Sequence, residues 1–310
     1  MRLRILLFIC LCLVAQPVMY TCGFYKCRIN VPVTRHLDIE YDSIRGVDPH
    51  LLSLDVYVPS EKKRGEFLPV IVWVHGGGWK RGDKTSTVCE KVNLFIDAGY
   101  VLVSINYRLS PEPPDTSDQN RVKYPVHPRD VAKALAFVHE HIDEYGGDPT
   151  RVALMGHSAG AHLVALVSTD ESFLADNGYG TDIISCTLSL DVDAYDIPLG
   201  MKNFDEEMKE IFINAFGTDR YVWERASPVN HIEAGSDIPP FLLVSRGGEL
   251  TREMGRAFSD ELNRAGVSTS VVKADEYSHI EVDTMIGDAG DRILTPAIEK
   301  FLRNVCFSGP

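Results

Sequence analysis

The stretch Val152-Ala-Leu-Met-Gly-His-Ser158-Ala-Gly-Ala-His162 constrains this chain more than any other. Val152 to Met155 is a short apolar run that reads as a buried strand, and it stops at Gly156. Beyond Ser158, the apolar residues Leu163, Val164 and Leu166 recur with helical spacing. Gly156-His-Ser158-Ala-Gly160 therefore sits on a strand-turn-helix, the setting of a nucleophile elbow. So tight a turn leaves no room for large side chains beside the serine, hence a glycine on each side. The alternative is a glycine-rich strand-helix turn with an incidental serine. Two further signals argue against it.

The first lies upstream. Val70-Ile-Val-Trp-Val74 is continuously apolar, as in a central strand covered on both faces. It runs into His75-Gly76-Gly77-Gly78-Trp79. Glycines at a strand end leave backbone N–H groups unobstructed, and such groups stabilise an oxyanion in acyl transfer. The amides of Gly77, Gly78 and Ala159 are the expected donors, with His75 orienting the loop rather than acting as base. The second signal lies downstream. Thr269 to Ala274 reads as the last strand, and the loop after it carries His279, where a catalytic base belongs.

Between these points strands and helices alternate. His36 to Tyr41 and Leu52 to Val58 alternate apolar and polar residues, as half-buried antiparallel strands do. Val101 to Tyr107, Ser185 to Leu190 and Phe241 to Ser245 read as buried strands. Helices are predicted over 83–98, 129–145, 204–216, 251–265 and 293–305. His127 opens the second of these and is read as a hydrogen-bonding loop residue. The expected fold class is α/β: a mostly parallel central sheet, antiparallel strands at its N-terminal side and helices on both faces.

His75-Gly-Gly-Gly-Trp79, Asn106-Tyr-Arg-Leu-Ser-Pro111, Glu144-Tyr-Gly-Gly-Asp-Pro149 and Gly156-His-Ser-Ala-Gly160 together resemble α/β-hydrolase esterases of the hormone-sensitive-lipase-like and feruloyl-esterase-like branches. The resemblance spans residues 50–305 and implies a serine carboxylesterase with a small cap, residues 192–240 being the candidate excursion. It also implies an acid just past the strand that ends at Ser245. That family acid is normally an aspartate, and here the place is held by Glu249, with Arg246 where a small residue is usual. The expected triad is thus Ser158, Glu249 and His279, with Asp275 and Asp237 as fallback acids. Arg246 is expected to pair with Glu249 or with a surface acid. Asp191 and Asp193 are read as structural, against the alternative of a substrate contact.

Composition narrows the partners. A formal net charge of −13 argues against nucleic acid or an anionic membrane surface. The expected substrate is a small ester, with no metal and no organic cofactor, since no Cys/His cluster has metal spacing. Arg2 and Arg4 before the apolar run Ile5 to Val14 read as a secretory signal over 1–23, leaving 24–310 as one hydrolase domain. An uncleaved N-terminal anchor is the alternative, and the run is too short to span a bilayer comfortably. Export is expected. Cys27, Cys89, Cys186 and Cys306 remain in the mature chain, with three possible pairings. Cys186 lies in an apolar strand and is expected to be a buried thiol. Two other functions stay open: an arylformamidase-like amide hydrolase, and a non-catalytic binding protein on the same fold.

Overall fold

The computed structural model describes residues 27–63 and 65–308. The proposed signal segment lies outside these residues.

The strands are β1 (Val33–Glu40), β2 (Ser53–Pro59), β3 (Leu68–Val74), β4 (Val101–Ile105), β5 (Gly147–His157), β6 (Cys186–Leu190), β7 (Phe241–Ser245) and β8 (Thr269–Lys273). The helices are α1 (Val88–Asp97), α2 (Val126–His141), α3 (Ala159–Thr169), α4 (Ser172–Ala175), α5 (Ile197–Asn203), α6 (Glu206–Phe216), α7 (Arg220–Arg225), α8 (Glu249–Arg264), α9 (His279–Thr284) and α10 (Leu294–Phe301). The strands form one eight-stranded sheet in the order β1-β2-β4-β3-β5-β6-β7-β8. β1 and β2 run antiparallel to their neighbours, and the strands from β4 through β8 in that order are parallel.

Period-two alternation splits the apolar strands between two layers. On β3, Val70, Val72 and Val74 face the core shared with Val131, Leu135 and Val138 of α2 and Leu163 and Val164 of α3. Ile71 and Trp73 face the other side, against Val92 and Phe95 of α1 and Ile298 and Phe301 of α10. Both faces are covered, as the uninterrupted apolar strands require. The first predicted helix is shorter than expected: residues 84–87 form turns, and Thr87 adopts φ 53° just before α1.

Two disulfides staple this frame, Cys27–Cys89 and Cys186–Cys306. The expectation of a free Cys186 is corrected. β6 is buried as its apolar sequence requires, but the segment after α10 packs on the same sheet face and brings Cys306 to it.

The glycine after the elbow serine shows how closely the layers approach. A Cβ on Gly160 would collide with the carbonyl oxygens of Val74 and His75. Neither a strand end nor a helix start can yield there. Gly160→Ala is therefore expected to destabilise the fold by about 3 kcal/mol or more. A urea titration followed by circular dichroism measures it, and unchanged stability would contradict this packing.

Candidate active site

In a parallel sheet, loops at the carboxyl ends of neighbouring strands share one crevice. Here β3, β5, β6, β7 and β8 are successive neighbours. Their C-terminal ends deliver His75-Gly-Gly-Gly78, Ser158, Asp191, Arg246 and His279 to the same edge.

Ser158 adopts φ 55°, ψ −119°, a backbone conformation that is costly for any residue with a side chain. It is held by the register: the Ser158 amide donates to the carbonyl of Leu190 on β6 at 3.0 Å. Ser158 Oγ lies 2.9 Å from His279 Nε2, and donates to it. His279 Nδ1 in turn donates to Asp191 Oδ2 at 2.6 Å. Serine, histidine and a buried carboxylate thus form one hydrogen-bonded chain.

The acid in that chain is not the one expected. Glu249 is exposed at the first position of α8 and takes no part in it. Asp275 and Asp237 do not supply it either; Asp275 is exposed and faces Arg252 at 3.3 Å. Asp191 immediately follows β6, the strand between the elbow strand and β7. It too has a left-handed backbone, φ 57°, and its amide donates to the Val244 carbonyl at 3.0 Å. Arg246, at the end of β7, donates through Nε to the same Asp191 oxygen that receives His279, at 2.5 Å. Its partner is therefore neither Glu249 nor a surface acid. A clue was present in the sequence. Arg246 occupies the strand end from which the acid was expected, and a cation there calls for a nearby buried carboxylate.

Two further contacts hold the histidine. His157, the variable residue of the elbow motif, donates through Nε2 to the backbone carbonyl of His279 at 2.9 Å. Burial lowers the pKa of His157 to about 4, so the ring is neutral at ordinary pH. Behind α9, the wholly buried Lys91 donates to Asp283 Oδ1 at 2.5 Å and to the Asp283 carbonyl at 2.9 Å. Its ammonium sits 4.4 Å from the centre of the Trp73 ring. That anchor fixes the short helix that begins at His279.

His279 itself is raised above its ordinary pKa of 6.5. Burial acts against the charged ring, but the Asp191 hydrogen bond and the charges of Asp191 and Asp193 outweigh it; Arg246 offsets part of the rise.

The glycine loop forms the opposite wall. His75 Nδ1 donates to the Gly76 carbonyl at 2.7 Å, and its ring stacks on Tyr107 with centroids 4.5 Å apart. Burial keeps it neutral by lowering its pKa. Gly77 (φ 118°) and Gly78 (φ 60°) hold left-handed conformations. Among the described residues, their amides donate to no backbone acceptor, and both residues line the pocket with Ser158 and His279. Ala159 opens α3, so its amide is one of the unpaired N–H groups of that helix start. His127 stands apart from this edge, bonded to Ser110 Oγ at 3.0 Å.

The pocket over these groups measures about 670 Å³, within the size of small-molecule sites. Residues of the 192–240 excursion wall it: Val192, Asp193 and, from α6, Glu207, Met208 and Ile211. His157, Asp191 and His279 offer ligand atoms within 4.8 Å of one another, the spacing of a metal site. Those atoms are already engaged in the hydrogen bonds given above.

A nucleophile elbow, a glycine loop and a serine-histidine-carboxylate chain on this sheet define an α/β-hydrolase. Within that class the chain belongs to the BD-FAE family, whose model matches residues 54–249. It is 29% identical over 258 residues to Esterase LipQ of Mycobacterium tuberculosis, covering 80% of this chain and 58% of that protein. It is 30% identical over 253 residues to the probable carboxylic ester hydrolase LipM of the same organism, covering 76% and 54%. The chain thus spans little more than half the length of these relatives. Esterase B of Lactobacillus rhamnosis has a similar structure, with a TM-score of 0.70, 20% identity, and coverage of 90% of this chain and 87% of that one.

Proposed function

We propose that this protein is a serine carboxylesterase acting on small carboxylic esters through an acyl-serine intermediate. The observation that carries the reading is the continuous chain from Ser158 Oγ through His279 to Asp191, at 2.9 and 2.6 Å. His279 Nε2 takes the Ser158 proton as Oγ attacks the ester carbonyl. Asp191 holds the imidazole in the tautomer whose Nε2 is free to accept, and stabilises the imidazolium that forms. The amides of Gly77, Gly78 and Ala159 receive the oxyanion, a contribution of about 2.7–4 kcal/mol per donor. His279 then protonates the leaving alcohol, and water, deprotonated by the same imidazole, releases the acid. The names of the mycobacterial relatives support an ester over an amide.

The test is a series of para-nitrophenyl esters from acetate to laurate, with an aryl ester alongside. Turnover is expected on short acyl chains, and the chain-length optimum measures the pocket. No turnover of any ester by folded protein would overturn the reading and turn attention to formanilides.

The site also sets a pH dependence. The base works only when neutral, so kcat/KM rises with pH through the His279 pKa, and the midpoint is expected above 6.5. Arg246 lowers that pKa. Arg246→Gln removes the nearby positive charge, favours the imidazolium and moves the acidic limb to higher pH. A pH–rate profile of both proteins reads the displacement, and a move to lower pH would contradict this assignment.

Two disulfides support an exported protein, because such bridges persist in oxidising compartments. Among the described residues no helix is long and apolar enough to cross a membrane.

A further inference from the structure

His157 brings a second imidazole to the catalytic pair, and the reaction as written uses only its N–H. It lines the pocket with Ser158 and His279, and the two imidazole rings lie 4.6 Å apart between centroids, inclined by 41°. Asp191 stands behind His279, with Oδ2 2.6 Å from Nδ1. One donor atom from each of these three side chains lies within 4.8 Å of the other two. Among the described residues no other three histidine, cysteine or acidic side chains meet so closely. Two imidazoles and a carboxylate suit a borderline dication such as Zn²⁺, and three protein ligands leave a position for water.

The hydrogen bonds that engage these atoms do not bar an ion. The bond from His279 Nδ1 to Asp191 joins two of the prospective ligands to each other, and His157 Nε2 donates to the carbonyl of His279 itself. An ion replacing both leaves only that carbonyl without its partner, next to a pocket wide enough for water. The His279 side chain is 34% exposed, which gives an ion access. Arg246 remains on Asp191 and its charge opposes a second cation, so binding is expected to be reversible and weaker than at a structural zinc site.

Either mode of coordination stops the base. An ion on Nε2 takes the lone pair that accepts the Ser158 proton. An ion on Nδ1 moves the single proton of the neutral ring to Nε2, where it faces a serine it cannot deprotonate.

We propose that His157, His279 and Asp191 form an inhibitory site for a transition-metal dication of the zinc type, which holds the enzyme in a reversible inactive state. The site follows from the geometry, whereas the loss of turnover rests on the serine-esterase reading.

Zn²⁺ is the probe, with two readouts. The first is hydrolysis of para-nitrophenyl acetate in chelator-treated buffer at fixed pH, with and without zinc chloride. Wild type is expected to lose activity in Zn²⁺ and regain it in EDTA, while Mg²⁺, which prefers oxygen ligands, leaves the rate unchanged. His157→Gln keeps a side-chain N–H and loses the imidazole, and its half-inhibiting Zn²⁺ concentration is expected to rise by about tenfold or more. Comparing rates with and without Zn²⁺ within each protein cancels any change in basal activity. The second readout is calorimetric titration of Zn²⁺ into Ser158→Ala, which requires no turnover. One site per chain is expected, and adding His157→Gln is expected to remove it. No inhibition at about 1 mM Zn²⁺, where even a weak site fills, would overturn the inference and leave the esterase intact. Equal sensitivity of wild type and His157→Gln would do the same. Calorimetric binding that survives the loss of His157 would assign the ion to surface carboxylates only, and overturn it too. A calorimetric site that depends on His157, in a protein that turns over no ester, would support the site and overturn the esterase reading.

Discussion

Asp191→Asn is expected to lower kcat by about 10⁴-fold, while Glu249→Gln stays within about twofold of wild type. The carboxylate of Asp191 accepts from His279 Nδ1 and so keeps Nε2 free to accept from Ser158. An asparagine keeps the shape but can turn an amide donor toward Nδ1. The imidazole then carries its proton on Nε2, facing a serine it can no longer deprotonate. Any imidazolium that forms also lacks a counter-charge. Glu249, by contrast, is exposed at the start of α8, and its carboxylate contributes only a favourable interaction with that helix end, about 0.3–1 kcal/mol. Steady-state kinetics on a para-nitrophenyl ester, with circular dichroism to establish folding, compares the two variants directly. The reverse outcome, with Glu249→Gln inactive and Asp191→Asn active, would mean that the loop after β7 supplies the acid during turnover.

The larger effect belongs to Ser158. Ser158→Ala removes the only atom in the arrangement that forms a covalent bond to the acyl group, and kcat is expected to fall by about 10⁶-fold. The amides of Gly77, Gly78 and Ala159 remain, so binding and oxyanion stabilisation leave about 10³–10⁴-fold catalysis over water. The loss should appear in kcat with KM little changed, since Oγ contributes more to the transition state than to substrate binding. Burst kinetics sharpen the test. Wild type should release about one equivalent of nitrophenol rapidly if deacylation limits turnover, and the variant none. Alanine also lacks the hydroxyl without relieving the φ of 55°, so folding should be retained. Substantial esterase activity in Ser158→Ala would sink the acyl-serine mechanism.

The sequence by itself determined the local parts of this protein. Runs such as Val70 to Val74 mark strands buried on both faces, because a parallel strand covered on both sides has no polar side to show. Gly156 and Gly160 mark the elbow, because the contact of Gly160 with the Val74 carbonyl admits no side chain. The glycine loop after β3 and the histidine after β8 follow from chain order in the same way, and the fold brings His279 to Ser158.

The acid was decided only by tertiary structure. A carboxylate holds a catalytic histidine by standing next to it, and that depends on strand order and register rather than on neighbours in the chain. β6 lies beside β5, and its pairing level with the elbow sets Asp191 at the same edge, within reach of His279 Nδ1. Glu249 starts α8 and is exposed to solvent, although its position in the sequence fits the family pattern. The pairing of Cys186 with Cys306 has the same origin, since it joins residues 120 positions apart across a sheet face. Side-chain type and spacing set which segments can turn, bury or react; only the folded sheet decides which of the reactive groups meet.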